Sequence, residues 1–267
     1  MTTAARLAAA ISAARRAGAE TLRRFGDAAL AVDLKADASP VTEADRAAEA
    51  ILRHDLLGAF PDDAFLGEET GPTPGTSGWE WVVDPIDGTK SFIRGVPLYA
   101  TLVGCRHGGR GVVGVIAIPA LDEMAYAARG AGAWHTRGAA APVPARVSTK
   151  RSLAEALVCS SDFTSFARWS GGEPAGRAAR ERLEAAGGIA RTWGDGYGYL
   201  LVATGRAEIM VDPLLNAWDA AAVDVVVSEA GGRFSDWRGR DSIESGDGVA
   251  TNGPVHAAAL ACLREDT

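Results

Sequence analysis

Asp84-Pro85-Ile86-Asp87-Gly88-Thr89 follows directly on the apolar run Trp81-Val82-Val83. A strand that delivers two carboxylates into a tight Pro/Gly turn sets two hard oxygen ligands side by side. Carboxylates so crowded repel each other unless a cation neutralises them. Mg²⁺ takes oxygen ligands and keeps water positions open for a substrate phosphate. An Asp at a strand end and an Asp-Gly turn are also ordinary loop chemistry. This segment alone leaves both readings open.

Three further acidic segments recur. Gly67-Glu68-Glu69-Thr70 lies behind Ala64-Phe65-Leu66 and by itself reads as a solvated loop. Thr42-Glu43-Ala44-Asp45 opens a helix, where Thr42 as N-cap with Asp45 three residues on mimics a capping box. Trp218-Asp219-Ala220-Ala221-Ala222 opens a later helix, and Asp219 there is either a cap favoured by the helix dipole or a metal ligand.

Together and in this order, these segments resemble the inositol monophosphatase-like family of Mg²⁺-dependent phosphomonoesterases. Val41-Thr42-Glu43-Ala44-Asp45 and Glu229-Ala230-Gly231-Gly232 support the match, which runs from about Leu7 to Cys262. The resemblance implies an α/β fold, a layered αβαβα sandwich with mixed sheets, and the metal site where two subdomains meet. It implies that Glu68, Asp84 and the backbone carbonyl of Ile86 hold one metal. Asp84 then bridges to a second metal on Asp87 and Asp219, and Glu68 with water offers a weaker third site, giving two to three Mg²⁺ ions per site. Two such ions about 3.5–4 Å apart clamp the attacking and leaving oxygens of an in-line displacement. Glu69 and Thr89 are implied to activate and orient the attacking water. The amides of Gly88 and Thr89 are implied to hold the phosphate. Asp45 and Lys35 are placed behind them, on the leaving-group side or near the third metal.

Within the family the chain most resembles the histidinol-phosphatase branch. The residues concerned are Asp87 to Pro97, Trp193 to Tyr199, Leu201 to Glu208 and Val211-Asp212-Pro213. Hydrolysis of L-histidinol phosphate to L-histidinol and phosphate is the expected reaction. Its ammonium and imidazole call for carboxylate acceptors, which Asp195 and Asp212 offer. Asp195 as a helix cap and Tyr197 as a core residue are the plain structural alternatives. Arg94 either reaches a phosphate or a partner subunit, or is a surface residue. Inositol 1-phosphate and 3′-phosphoadenosine 5′-phosphate are the other esters considered, and a catalytically silent metal-binding regulator is the non-enzyme alternative.

Other chemistries find no support. There is no Gly-x-Ser-x-Gly elbow, Cys-x₅-Arg loop, Asp-x-Asp-x-Thr/Val or Walker A. His54, His107, His135 and His256 show no zinc spacing and are assigned to the surface or loops. Across 267 residues, 27 Lys and Arg face 34 Asp and Glu, a net charge of −7 that leaves little base for a nucleic-acid face. Three scattered cysteines, Cys105, Cys159 and Cys262, suggest neither disulfides nor a zinc ribbon, and a reducing cytoplasm is expected. No apolar stretch suits a membrane. A homodimer binding a small phosphate ester is the expected assembly.

The elements that must position these groups can be read by periodicity. Leu7, Ile11, Ala14, Leu22 and Phe25 predict a helix over about 4–26. A strand over Ala31–Lys35 and a polar turn, Ala36-Asp37-Ala38-Ser39-Pro40, precede a helix from Thr42 that ends by Pro61. Gly71 to Gly78 reads as an exposed loop. Strands are predicted at 79–83, 98–105 and 111–118, with a turn at His107-Gly108-Gly109, and a further hairpin over 124–134. The Pro-rich Ala141–Pro144 is taken as a boundary between subdomains 1–140 and 141–267. In the second, strands are expected at 156–160 and 208–211 and helices at 176–186, 197–204 and 219–229, the last stopped by Gly231-Gly232.

Overall fold

The computed structural model describes residues 2–27, 30–35 and 39–264. Helix α1 (Thr3–Leu22) is capped by the Thr2 hydroxyl and buries Ala10, Ala13, Ala14 and Ala17 on one face. It ends at Leu22 rather than near 26, because the chain turns into Gly26 with φ +76°. Short strands β1 (Val32–Leu34) and β2 (Pro40–Thr42) pair antiparallel. Residues 36–38 of the predicted polar turn lie outside the described residues. Helix α2 (Glu43–Ala59) follows, and a full capping box joins Thr42 and Asp45.

An eight-stranded mixed sheet comes next. Its members are β3 (Ala64–Gly67), β4 (Gly71–Thr73), β5 (Trp79–Asp87), β6 (Ala100–His107), β7 (Arg110–Ile118), β8 (Glu123–Ala128), β9 (Ala133–Arg137) and β10 (Val143–Pro144). The spatial order is β10-β9-β8-β7-β6-β5-β3-β4, and the short helix α3 (Thr89–Phe92) interrupts the run after β5. The predicted loop at 71–78 is partly wrong. Gly71-Pro72-Thr73 pairs antiparallel with β3, which shares its other edge with β5. The Pro-rich stretch taken as a boundary supplies β10, the edge strand of this sheet.

A five-stranded sheet uses β11 (Leu157–Cys159), β12 (Ile189–Arg191), β13 (Ile209–Asp212), β14 (Arg233–Ser235) and β15 (Gly248–Thr251) in the order β12-β11-β13-β15-β14. Interleaved with them are α4 (Glu173–Ala186), α5 (Asp195–Ala203), α6 (Ala217–Glu229) and α7 (His256–Leu263).

Period-two alternation along the strands builds the layers. Val103, Cys105, Val113 and Val115 face α1 and α2, while Leu102, Ile116 and Ile118 face α5 and α6. Met210 and Ala250 of the second sheet close on α5 and α6 from the other side. Ile209, Val211 and Val249 point outward onto Ala179 and Leu183 of α4 and Ala259, Leu260 and Leu263 of α7. The result is the expected αβαβα sandwich. Each large aliphatic residue so buried contributes roughly 1.5–3 kcal/mol. Helices α5 and α6 carry mostly buried apolar residues because sheets cover them from both sides, with the acids of α6 kept to its ends and one partly exposed position, Asp224.

Candidate active site

Asp84 and Asp87 are three apart, which in a regular strand would send their side chains to opposite faces. The register prevents this. Asp84 pairs with Leu102 and Asp87 with Ala100, so β5 carries one extra residue, a bulge that re-aims the second acid. Thr101 Oγ1 donates to Pro85 O at 2.8 Å and the Ile86 amide donates to Asp84 Oδ1 at 2.9 Å, fixing the turn. Asp219 comes from the first turn of α6, where its Oδ2 accepts the Asn216 amide at 2.7 Å. Carboxylate oxygens of Asp84, Asp87 and Asp219 all lie within 4.8 Å of one another.

Such crowding is costly without a cation. Burial, then the charges of Glu68, Asp87 and Asp219, drive the Asp84 carboxyl well above its ordinary range. Burial, then Asp195, Asp219 and Asp212, do the same to Asp87. Burial, followed by the charge of Glu68, pushes Asp219 up to about 7 despite the Asn216 amide. The donors are all hard oxygens, so the set suits a divalent cation of the magnesium class.

Glu68 and Glu69 sit on the loop after β3. Lys35 Nζ donates to Glu68 Oε1 and to Glu69 Oε1, each at 2.7 Å. Burial opposes the ammonium charge, but the two carboxylates outweigh it and raise the Lys35 pKa. Burial raises Glu69, against the Lys35 hydrogen bond. A residue not anticipated from sequence shapes this loop. Glu49 of α2, fully buried, accepts the amides of Glu69 and Thr70 at 2.7 and 2.8 Å and the Thr70 hydroxyl at 2.6 Å. Gly67 is required for this approach, since a Cβ there would stand 2.3 Å from Glu49 Oε1.

Thr89 opens α3. Its Oγ1 lies 3.1 Å from Ile86 O and 3.4 Å from Asp45 Oδ1, two acceptors that share its proton. Asp45 Oδ2 meanwhile takes the Thr42 amide and hydroxyl at 2.8 and 2.6 Å. Asp45 therefore caps a helix and faces the site at once. Gly88 has φ +87°, and a Cβ would fall 2.6 Å from Asp195 Oδ2, so both backbone and space demand glycine.

On the far side, Asp87, Asp195, Asp212 and Asp219 line one cleft of about 180 Å³ with Lys90, Ser161 and Asp162. Asp195 is the first residue of α5 at φ +52° and does not cap it; its amide donates to Ser161 Oγ at 3.0 Å. Ser161 Oγ donates to Asp212 Oδ1 at 2.7 Å, and Tyr199 Oη to Asp212 Oδ2 at 2.9 Å. Burial pushes Asp212 up to about 7. Tyr199 touches this acid, while Tyr197 packs against the central core, as its structural alternative has it. No local signal marks Ser161, and Tyr199 closes the Trp193 to Tyr199 segment without anything along the chain tying it to Asp212. Arg94 is exposed past the end of α3 and does not line the cleft. A larger cavity of about 750 Å³, between the β6–β7 hairpin and α6, holds none of the predicted site residues.

The histidine assignment needs one correction. His256 is 2% exposed, buried at the start of α7 between Ser235 and Thr251.

The Inositol monophosphatase family model matches residues 4–267. The chain is 41% identical over 254 residues to a histidinol-phosphatase of Mycobacterium tuberculosis, covering 95% of this chain and 96% of that one. It is 40% identical over 242 residues to a histidinol-phosphatase of Chlorobaculum parvum, covering 91% and 90%. The crystal structure of extragenic suppressor protein suhB from Bartonella henselae superposes with a TM-score of 0.87 at 30% identity, covering 97% of this chain and 98% of that one. This chain belongs to the inositol monophosphatase family.

Proposed function

We propose that the chain is a Mg²⁺-dependent phosphoric monoester hydrolase that converts L-histidinol phosphate to L-histidinol and phosphate. The observation that carries the hydrolase reading is the convergence of Asp84, Asp87 and Asp219 beside an acid-lined cleft. The two relatives named histidinol-phosphatase, at 40% and 41% identity, support the choice of ester.

Glu68, Asp84, Asp87, Asp219 and the Ile86 carbonyl are the groups assigned to hold two to three ions. When bound, divalent cations supply charge neutralisation and Lewis-acid activation of water and of the phosphoryl oxygens. Glu69, raised in basicity by burial and steadied by Lys35, is assigned to accept a proton from the attacking water. Thr89, held by Ile86 O and Asp45, orients that water. The Gly88 and Thr89 amides are assigned to the phosphate. Asp195 and Asp212 are placed toward the alcohol, where an ammonium or imidazolium would find acceptors. Arg94 has no role in this reading.

No helix among the described residues is long and apolar enough to cross a membrane. Three free thiols fit a reducing cytoplasm. A homodimer is proposed, for which edge strand β12 offers an exposed surface with Ile189, 51% exposed.

The test is Asp84→Asn assayed for phosphate release from L-histidinol phosphate. Loss of at least a hundredfold in kcat, with retained fold by circular dichroism, is expected. Equal rates for variant and wild type would defeat the metal-site assignment.

A further inference from the structure

The cleft contains one carboxylate whose bonding differs from the rest. Asp162 lies in the loop after β11, and its Oδ1 accepts the Ser165 amide at 2.6 Å and the Thr164 hydroxyl at 2.8 Å. Its backbone carbonyl also takes the Ser165 hydroxyl at 3.0 Å. These bonds fix the carboxylate's position before any ligand arrives. Asp162 lines the cleft beside Lys90 and Arg168. Its nearest cation is Lys90 Nζ at 3.9 Å, on a side chain that is 72% exposed. That distance is too long for a hydrogen bond, and so exposed a partner is easily displaced.

The other acids of the cleft are more closely engaged, and Asp162 adds to the acceptors that Asp195 and Asp212 offer on the alcohol side. Asp87 and Asp219 belong to the cation cluster with Asp84. Both oxygens of Asp212 already accept hydroxyls, from Ser161 and Tyr199. Asp195 is packed against Gly88 and burdens Asp87 with its charge. Asp162 also stays ionised. Burial opposes its charge, but the Ser165 amide, the Thr164 hydroxyl and Lys90 outweigh burial and hold the carboxyl below its ordinary range. Opposite it stands Lys90 of α3, so the Asp162–Lys90 pair bridges the cleft between α3 and the loop after β11.

We infer that Asp162, preset by Thr164 and Ser165 and only loosely paired with Lys90 across the cleft, selects phosphate esters whose alcohol carries a cationic group. The substrate cation takes the place of Lys90 Nζ. This deepens the histidinol phosphate reading and rests on it. It explains how one catalytic apparatus separates an amino-alcohol phosphate from a neutral polyol phosphate. Discrimination comes from a charge at the mouth rather than from the acids at the cation cluster, which every ester meets alike.

The experiment compares kcat/KM for L-histidinol phosphate and for glycerol 2-phosphate, an ester of an uncharged alcohol, in saturating Mg²⁺. Asp162→Asn keeps the Oδ1 acceptor that holds the loop and removes the charge. The ratio of the two kcat/KM values should fall roughly 10–100-fold, the worth of one charge-assisted hydrogen bond, and the fall should lie in KM. Lys90→Met removes the cation paired with Asp162, leaving Arg168 in the cleft wall, and should leave the ratio at or above the wild-type value. An unchanged ratio in Asp162→Asn overturns the inference. So does an equal loss of the ratio in Lys90→Met, which would make the pair a structural latch. The reading beneath is judged separately by wild type: if it hydrolyses glycerol 2-phosphate and not L-histidinol phosphate, that reading fails before any variant is compared.

Discussion

Glu49 Oε2 accepts the backbone amide of Glu69 at 2.7 Å, tying the middle of α2 to the loop that presents two candidate site acids. Three donors converge on this buried carboxylate. Glu49→Ala leaves them without a partner and should cost about 2–3 kcal/mol of stability. It should also lower kcat at least tenfold, because Glu68 and Glu69 lose their placement. Gly67→Ala drives a Cβ into the same carboxylate and should produce the same loss of kcat. Urea unfolding and steady-state assays check both. Full activity in Glu49→Ala would show that the loop holds itself.

Gly196 makes a comparable prediction on the other side of the site. Its amide donates to Asp87 Oδ2, and a Cβ would stand 2.5 Å from Ala100 Cβ and 3.1 Å from Asp87 Oδ2. Gly196→Ala must shift α5 away from β6 and disturb Asp87. Overpacking of this kind costs about 1–3 kcal/mol, and a fall of at least tenfold in kcat is expected. A variant with wild-type kinetics would show that α5 can yield without moving Asp87.

The cation cluster predicts a crossover in thermal stability. In chelator, the buried carboxylates of Asp84, Asp87 and Asp219 oppose folding, so Asp84→Asn should melt at or above wild type. In Mg²⁺ the order should reverse. Ligand at a hundred times its Kd stabilises the folded state by about 2.7 kcal/mol, a gain the variant largely loses. Differential scanning fluorimetry with and without Mg²⁺ reads both arms. Equal Mg²⁺-induced shifts in the two proteins would contradict the assignment of Asp84.

His256 predicts an acid limit on stability that is independent of the active site. Ser235 Oγ donates to Asp236 O, so it accepts the His256 Nε2–H, and Thr251 donates to Nδ1; the ring is held neutral. Burial, then the charge of Arg233, push its pKa down from 6.5 to about 4. Between those values the unfolded chain binds a proton that the folded chain does not, so stability is full above about 6.5 and falls as pH drops toward 4. His256→Gln should flatten that part of the profile. A variant whose melting temperature keeps the wild-type slope between pH 6.5 and 4 would exclude His256 as its source.

The parts of this site that are legible in sequence are local ones. Asp84 to Thr89 follow an apolar strand, Asp45 opens an amphipathic helix and Asp219 an apolar one; each alone also fits a turn or a cap, and it is their order along the chain, matched to the family, that points to a site. The bulge that turns Asp87 to the side of Asp84 depends on pairing with β6, which no window along β5 contains. Glu49 reads as one more polar position on an amphipathic helix until β3 is laid beside it. Tyr199 and Ser161 meet Asp212 from separate elements. Gly71-Pro72-Thr73 has the composition of a turn and becomes a strand because β3 offers it a free edge. His256 reads as a surface residue along the chain because its partners, Ser235 of β14 and Thr251 of β15, reach it only when the sheet packs on α7.

The roles assigned in the cleft all turn on the identity of the ester. The most direct measurement is steady-state kcat/KM of the wild-type protein for L-histidinol phosphate and for inositol 1-phosphate in Mg²⁺. At least a tenfold preference for L-histidinol phosphate is expected. A preference for inositol 1-phosphate would contradict it.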